Sequence, residues 1–315
     1  MHMLLADLGG THIRFAQSHD HDLVHREKLV CADFDSLDDA LRHYLELQPI
    51  AEPIHCGIAI AAPLAGDQVQ MTNSPWSFSL SRLQQEFGFA SLHALNDFEA
   101  VAHAVPGLPD DKLQQIGNGQ RDPEGNIAVL GPGTGLGVKH LTRDGQNWKV
   151  LMGEGGHVDF ASVDDRDLML WQYMKNKQEH VAAEDVLSGR GLVEIYRAHC
   201  LQADCEAAFD NAVDIIRAGT QQEDALCEES LRHFLSILGT FAGNLALNLN
   251  TTGGVYLCGG VLTALAELLP DSDFRSRFEA KGRFRDYVAG IPTYLITEPE
   301  PGLLGALRYL HSQQD

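Results

Sequence analysis

The chain has 315 residues, 44% hydrophobic and 21% charged, with 23 Lys and Arg against 44 Asp and Glu, a formal net charge of -21. That length predicts about two domains, and so acidic a balance argues against non-specific grip on nucleic-acid phosphates or anionic membrane surfaces. No apolar run approaches the ~18 residues of a spanning helix, "MLLADLGG" lacks the basic region of a secretory signal, and six scattered cysteines without a CxxC pair predict free thiols in a reducing cytosol rather than zinc or a disulfide framework.

Three short strands open the chain, "MLLADLGG", "HIRFAQS" and "VHREKLV", with apolar residues at every second position. Between the first two, Gly9, Gly10 and Thr11 follow Asp7 in a tight turn; for a plain hairpin the two glycines alone would serve. Ser36 is placed to cap a helix over "SLDDALRHYLEL" (36–47), with Leu37, Leu41, Tyr44 and Leu45 at helical spacing. "HCGIAIAAPLAG" (55–66) is apolar enough for a strand buried on both faces. "SLSRLQQEFG" reads as a short helix ended by Gly88, and "SLHALNDFEAVAHAV" passes from strand to helix at Asn96–Asp97. The Pro/Gly/Asp-rich stretch 105–112 is the best boundary between domains.

The segment "NIAVLGPGTGLGVKHLTRDGQNWKVLMGEGGHVDF" (126–160) repeats the opening plan: strand, glycine-rich turn holding a threonine, strand. Two such loops, one per domain, predict an internal duplication in which backbone N–H groups converge on an anion. Neither loop carries the lysine of a Walker A motif. In the second, Leu136 stands where a dinucleotide fingerprint requires glycine, and the loop opens a strand instead of a helix. The long apolar helix at 228–250 carries Gly239, Ala242 and Gly243, which permit close packing. "GGVYLCGGVLTALAELL" (253–269) reads as a strand between two glycine pairs followed by an amphipathic helix; its glycines either admit a flat group such as adenine or serve helix–sheet packing.

Asp97, at the end of a strand and the start of a helix, is either a general base or a helix cap. Glu154 and His157 in "GEGGH" have metal-pair spacing, but Gly155–Gly156 argue against the regular helix such a pair needs; Glu184 alone reads as a first-turn helix carboxylate.

"DLGGT", "GPGTGLG" and "GGVYLCGGV", with "MTNSPW", "LNDFEAVA", "GEGGHVDF" and "EDVLSGRGLV" between them in order, resemble the bacterial-type glucokinases. These form the zinc-free group in the sugar-kinase branch of the actin/Hsp70/hexokinase superfamily; no cysteine-rich zinc motif follows "GEGGH". The chain departs from the usual pattern at Ala6 and His12. The resemblance implies an α/β protein of two ribonuclease-H-like (actin-like ATPase) domains around an interdomain cleft, a small one over 1–107 plus 298–315 and a large one over 108–297.

The same resemblance implies ATP-dependent phosphorylation of D-glucose to glucose 6-phosphate by a cytoplasmic homodimer, with no nucleic-acid or membrane partner. It places the general base at Asp97 and the sugar contacts at Asn96, Asp97, Glu154, His157, Glu184 and Gly135. Nucleotide contacts fall on Ala6, Asp7, Leu8, Gly9, Gly10, Thr11, Gly133, Thr134, Gly259 and Gly260. Because neither loop has a Lys or Arg, phosphoryl charge calls for Mg2+, with Asp7 acting on it through water. Asn73 and Trp76 are weaker candidates for the sugar-side loop. Two other readings are a kinase for mannose or fructose, and a non-enzymatic sugar-responsive regulator or nucleotide-gated chaperone on the same fold. The regulator calls for a basic DNA-binding segment and the chaperone for a peptide-binding domain.

Overall fold

In the computed structural model, which describes residues 2–19, 22–72 and 74–313, the opening meander forms as its alternating pattern dictates. β1 (His2–Leu8), β2 (His12–His19) and β3 (Asp22–Val30) pair antiparallel in sequence order. Leu8 pairs with Ile13, so Gly9–Thr11 must turn the chain, and the Gly9 N–H closes that turn on the His12 carbonyl at 3.0 Å. β4 (Ile54–Ile60) lies parallel to β1 and β7 (Ser91–Asn96) parallel to β4, giving the order β3-β2-β1-β4-β7. Between them β5 (Gln68–Gln70) and β6 (Ser77–Ser79) pair as a separate hairpin.

Alternate residues of β1 serve two cores. Leu4, Ala6 and Leu8 pack with Leu41 and Tyr44 of the helix Leu37–Leu47, while Met3 and Leu5 pack with Leu303, Leu307 and Leu310 of the helix Pro301–Ser312. Ser36 caps the first of these helices, its Oγ accepting the Asp39 N–H at 3.2 Å. Trp76, expected in a sugar-side loop, is instead buried in the core that also holds Val69, Met71 and Phe78, as so large an apolar ring favours. Asn73 lies outside the described residues.

The chain divides into Met1–Leu108 with Glu298–Asp315, and Pro109–Thr297. The second unit holds β8 (Leu113–Ile116), β9 (Ile127–Pro132), β10 (Leu136–Asp144), β11 (Asn147–Leu151), β12 (Gly254–Leu257) and β13 (Thr293–Ile296), in the order β11-β10-β9-β12-β13-β8. The first five neighbours repeat the earlier sheet, two antiparallel pairings and then two parallel ones. The duplication expected from the two loops therefore extends to strand order and direction. β8 is an added antiparallel edge with no counterpart in the first sheet among the described residues, tied down by Thr293 Oγ1 donating to the Ile116 carbonyl at 2.6 Å.

The helix Ala225–Leu249 runs through this second core, and its glycines do pack closely: a Cβ at Gly239 or Gly243 would overlap the carbonyl of Phe274 or Phe278. After β12 the helix is only Gly260–Ala264 and does not continue to residue 269. Leu265 and Leu269 turn into the core there, with i→i+3 bonds from Leu265 to Leu262 at 3.1 Å and from Leu268 to Leu265 at 3.0 Å. All six cysteines are free. Among the described residues no helix is long and apolar enough to cross a membrane.

The helix Pro301–Ser312 packs on the helix Asp97–Ala104 through Gly305, where a Cβ would overlap the Ala100 carbonyl oxygen, and Arg308 donates to the carbonyls of Ala104 and Gly107. Gly305→Ala should therefore destabilise the protein by about 3 kcal/mol or more, because backbone on both sides must move. Gly290→Ala, at φ -74 with its nearest contact at 3.5 Å, should stay within ~0.5 kcal/mol. Denaturant midpoints of the two variants check both values.

Candidate active site

The parallel strands β1, β4 and β7 end level with one another, Leu8 beside Ile60 and Ile60 beside Asn96. Carboxyl ends of parallel strands are where such sheets present ligand-binding groups. Asn96 takes the helix cap, its Oδ1 accepting the N–H groups of Phe98 at 3.1 Å and Glu99 at 3.3 Å. That leaves Asp97, half-buried, at the first helical position, where it also accepts the Phe98 N–H at 2.8 Å. Capping in the Asn-Asp pair thus belongs to Asn96, and the helix does not need it from Asp97.

Asp7 lies on the face of β1 opposite Ala6 and Leu8. Its carboxylate is 3.6 Å from Arg14, its cross-strand partner on β2. On the other side it abuts the start of the helix Pro301–Ser312, where a Cβ at Gly302 would sit 3.1 Å from the Asp7 carboxyl carbon. Burial raises the Asp7 carboxyl from 3.8 to about 6; the Arg14 guanidinium opposes this, and the charges of Asp97 and Glu300 add to it. A half-buried carboxylate with two acidic neighbours and one arginine is short of positive charge, so the residues present suit a divalent cation. Among the described residues no three His, Cys, Asp or Glu side chains form a metal cage, so the fit is to one carboxylate acting through water on a metal held chiefly by its nucleotide.

Of the other residues expected at the nucleotide, Gly9 and Gly10 are half-buried and Thr11 is exposed in the turn. The side chains of Ala6 and Leu8, also expected there, fill the core at 1% and 0% exposure. The Leu8 carbonyl is also engaged, accepting the Ala61 N–H at 2.9 Å. Strand alternation sends every second residue inward, so only Asp7 of the three presents a side chain on the other face.

In the second unit the residues gather around Leu136, the first residue of β10. Its N–H donates to Glu184 Oε2 at 2.8 Å, and its carbonyl lies where a Cβ on Gly156 would be. Gly135 leaves that carboxylate its place, since a Cβ there would fall 2.5 Å from Glu184 Oε2. Glu184 is thus brought to the glycine turn and also lies 3.5 Å from Arg190. Glu154 and His157 flank a tight 3-10 turn, Gly155–His157, closed by the His157 N–H on the Glu154 carbonyl at 3.1 Å; both side chains are exposed. Gly133 donates to the Gly135 carbonyl and accepts from the Gly189 N–H, each at 2.8 Å, which leaves Thr134 exposed at the tip.

The two glycines that end the third motif differ in their surroundings. Gly259, at φ +98, allows close approach to β9, where a Cβ would meet the Pro132 carbonyl oxygen at 2.5 Å; Gly260 has nothing within 4 Å of its Cβ position. Packing therefore accounts for Gly259, and Gly260 leaves room for a flat group. Sequence reasoning missed Lys139, 5% exposed on β10, whose Nζ donates to the Gly153 carbonyl at 2.9 Å and so holds the residue before Glu154. The signal was a lysine directly after the apolar start of β10, Leu136–Val138. It also missed Arg14 and Gly302 beside Asp7, for which "EPEPGLLGA" offered only Pro301 as a helix start.

The Glucokinase family model matches residues 4–313. The glucokinase of Hahella chejuensis is 40% identical over 99% of this chain and 97% of its own length. The bifunctional protein glk of Burkholderia pseudomallei is 45% identical over 98% of this chain, which spans about half, 48%, of that longer relative. The crystal structure of glucokinase from an Antarctic psychrotroph, 37% identical, covers 99% of each chain at a TM-score of 0.90. With it the fold is that of the actin-like ATPase sugar kinases.

The raised Asp7 carboxyl has a consequence for stability. Its folded-state value, about 6, lies above the unfolded 3.8, so the protonated form is favoured by folding and the ionised form is penalised. That penalty is absent below the unfolded value and complete once pH has risen through the folded one. Asp7→Asn should accordingly be more stable than the native protein by about 3 kcal/mol at neutral pH. The gain should shrink to nothing as pH falls from about 6 to 3.8, measured as the pH dependence of the two unfolding midpoints.

Proposed function

The chain belongs to the glucokinase family, and we propose that it transfers the γ-phosphoryl group of ATP to the 6-hydroxyl of D-glucose, yielding ADP and glucose 6-phosphate. The observation that carries this reading is Asp97: a carboxylate at the level end of three strands, beside Asp7, on a helix whose cap is supplied by Asn96. Asp97 accepts the proton of the 6-hydroxyl as its oxygen attacks phosphorus, a role contributing typically ~10²–10⁴-fold. Asn96, Glu154, His157 and Glu184 fix the remaining hydroxyls, each of which needs a placed donor or acceptor, and Gly135 keeps the Glu184 carboxylate close.

For the nucleotide, the Gly10 N–H and the Thr11 and Thr134 hydroxyls donate to phosphate oxygens, Gly9 and Gly133, whose own N–H groups close the two turns, let the phosphates approach the backbone, and Gly260 admits the adenine. Mg2+, when bound, supplies neutralising charge on those oxygens, and Asp7 orients it through water. An acidic chain needs such local donors because its overall field repels the nucleotide. In this reading the protein works in the cytoplasm as a homodimer, where its six free thiols stay reduced.

A coupled ADP-release assay across D-glucose, mannose and fructose tests the assignment. Glucose should show the highest kcat/KM; equal or better turnover of another hexose moves the substrate, and no turnover with any sugar favours a regulator on the same fold. Asp97→Asn should lower kcat by ~10² or more at nearly unchanged ATP affinity. EDTA should abolish activity and Mg2+ restore it; full activity in metal-free buffer would contradict the role given to Asp7.

A further inference from the structure

The helix Gly189–Gln202 ends in a turn that brings two cysteines together. Asp204 sits at φ 54, a left-handed conformation uncommon outside glycine. Its N–H donates to the Leu201 carbonyl at 3.2 Å, and the Cys205 N–H donates to the Cys200 carbonyl at 3.0 Å. This double closure is a Schellman motif, in which the residues at the two ends of the outer bond commonly bring apolar side chains into contact across the turn. Here both of those residues are cysteine.

The two thiols differ in access. Cys200 is 2% exposed and belongs to the core of its unit, whereas Cys205 is exposed and lines a shallow depression of about 200 Å³ with Leu201, Asp204 and Glu206. Burial pushes the Cys200 thiol above its ordinary value, and the adjoining Cys205 thiol pushes the same way, as expected for sulfurs held side by side. The outer backbone bond brings the main chains of the two residues together, the first condition a disulfide sets.

We propose that Cys200 and Cys205 form a dithiol site that small uncharged peroxides oxidise reversibly to a disulfide across the helix end. The Cys205 thiolate attacks one peroxide oxygen; the O–O bond breaks, hydroxide leaves and takes a proton to become water, and Cys205 becomes a sulfenic acid. Cys200 then gives up its proton, its sulfur attacks the Cys205 sulfur, and the S–O bond breaks to release a second water. Two thiols and one hydrogen peroxide thus give one disulfide and two waters. Asp204 and Glu206 flank the outer sulfur, so a neutral peroxide is favoured over anionic glutathione disulfide. The buried partner intercepts the sulfenic acid before further, irreversible oxidation.

Cleavage after Arg197 and Arg217 leaves both cysteines in one peptide, 198–217, so mass spectrometry of the intact protein treated with hydrogen peroxide and then digested reads the outcome directly. The expected product is that peptide lighter by two hydrogen atoms, returned to its original mass by dithiothreitol. In Cys200→Ser, Cys205 should instead carry two or three added oxygens or link two chains. Wild-type protein that accumulates the same oxygenated Cys205 with Cys200 still a thiol overturns the proposal, as does a bridge from Cys200 to the buried Cys227. Faster disulfide formation with glutathione disulfide than with hydrogen peroxide at equal oxidising equivalents overturns the choice of oxidant.

Discussion

The backbone contact between Gly305 and the Ala100 carbonyl is what the first unit's functional edge depends on. Without a side chain at residue 305 the helix Pro301–Ser312 settles directly onto the helix Asp97–Ala104, and Arg308 fastens it by donating to the Ala104 carbonyl at the far end of that neighbour and to the Gly107 carbonyl just beyond. The same seating carries Gly302 against the carboxylate of Asp7. A helix start favours a nearby anion, yet burial outweighs it, and the Asp7 carboxyl rises to about 6. One close approach between segments some two hundred residues apart thereby sets the environment of the carboxylate on β1 and braces the helix that carries Asp97.

The second unit reaches a comparable end with a different device. Its sheet repeats the strand order and directions of the first, but its glycine turn has no acidic residue on the preceding strand. The carboxylate comes from Glu184 instead, drawn in by the Leu136 N–H and given room by Gly135. The Leu136 carbonyl in turn seats Gly156, and Lys139 holds Gly153, so the segment bearing Glu154 and His157 is fixed at both ends from β10. Duplicated topology supplied two equivalent turns; different side chains then divided the labour between them.

Glycine does two distinct jobs here. At Gly259 a positive φ and a close carbonyl leave no alternative residue, whereas Gly133 and Gly260 face open space and are free to let a ligand approach the backbone. Identical letters in the sequence therefore stand for close packing in one position and for open space in the next.

By itself the sequence determined what local forces decide. The period-two strands, the two glycine turns, the Ser36 cap and the strand-to-helix switch at Asn96–Asp97 all appear where their patterns place them, because each rests on dihedral preferences and hydrogen bonds within a few residues. Tertiary structure alone decided the rest: the β8 edge, the helix cut short after Ala264, the burial of Trp76, and the inward facing of Ala6 and Leu8. It also decided the meetings of Lys139 with Gly153 and of Asp7 with Arg14 and Gly302. Each of these is a contact between residues far apart in the chain, or a choice of which core a residue joins. Their energies come from burial and close packing against partners that no local pattern names.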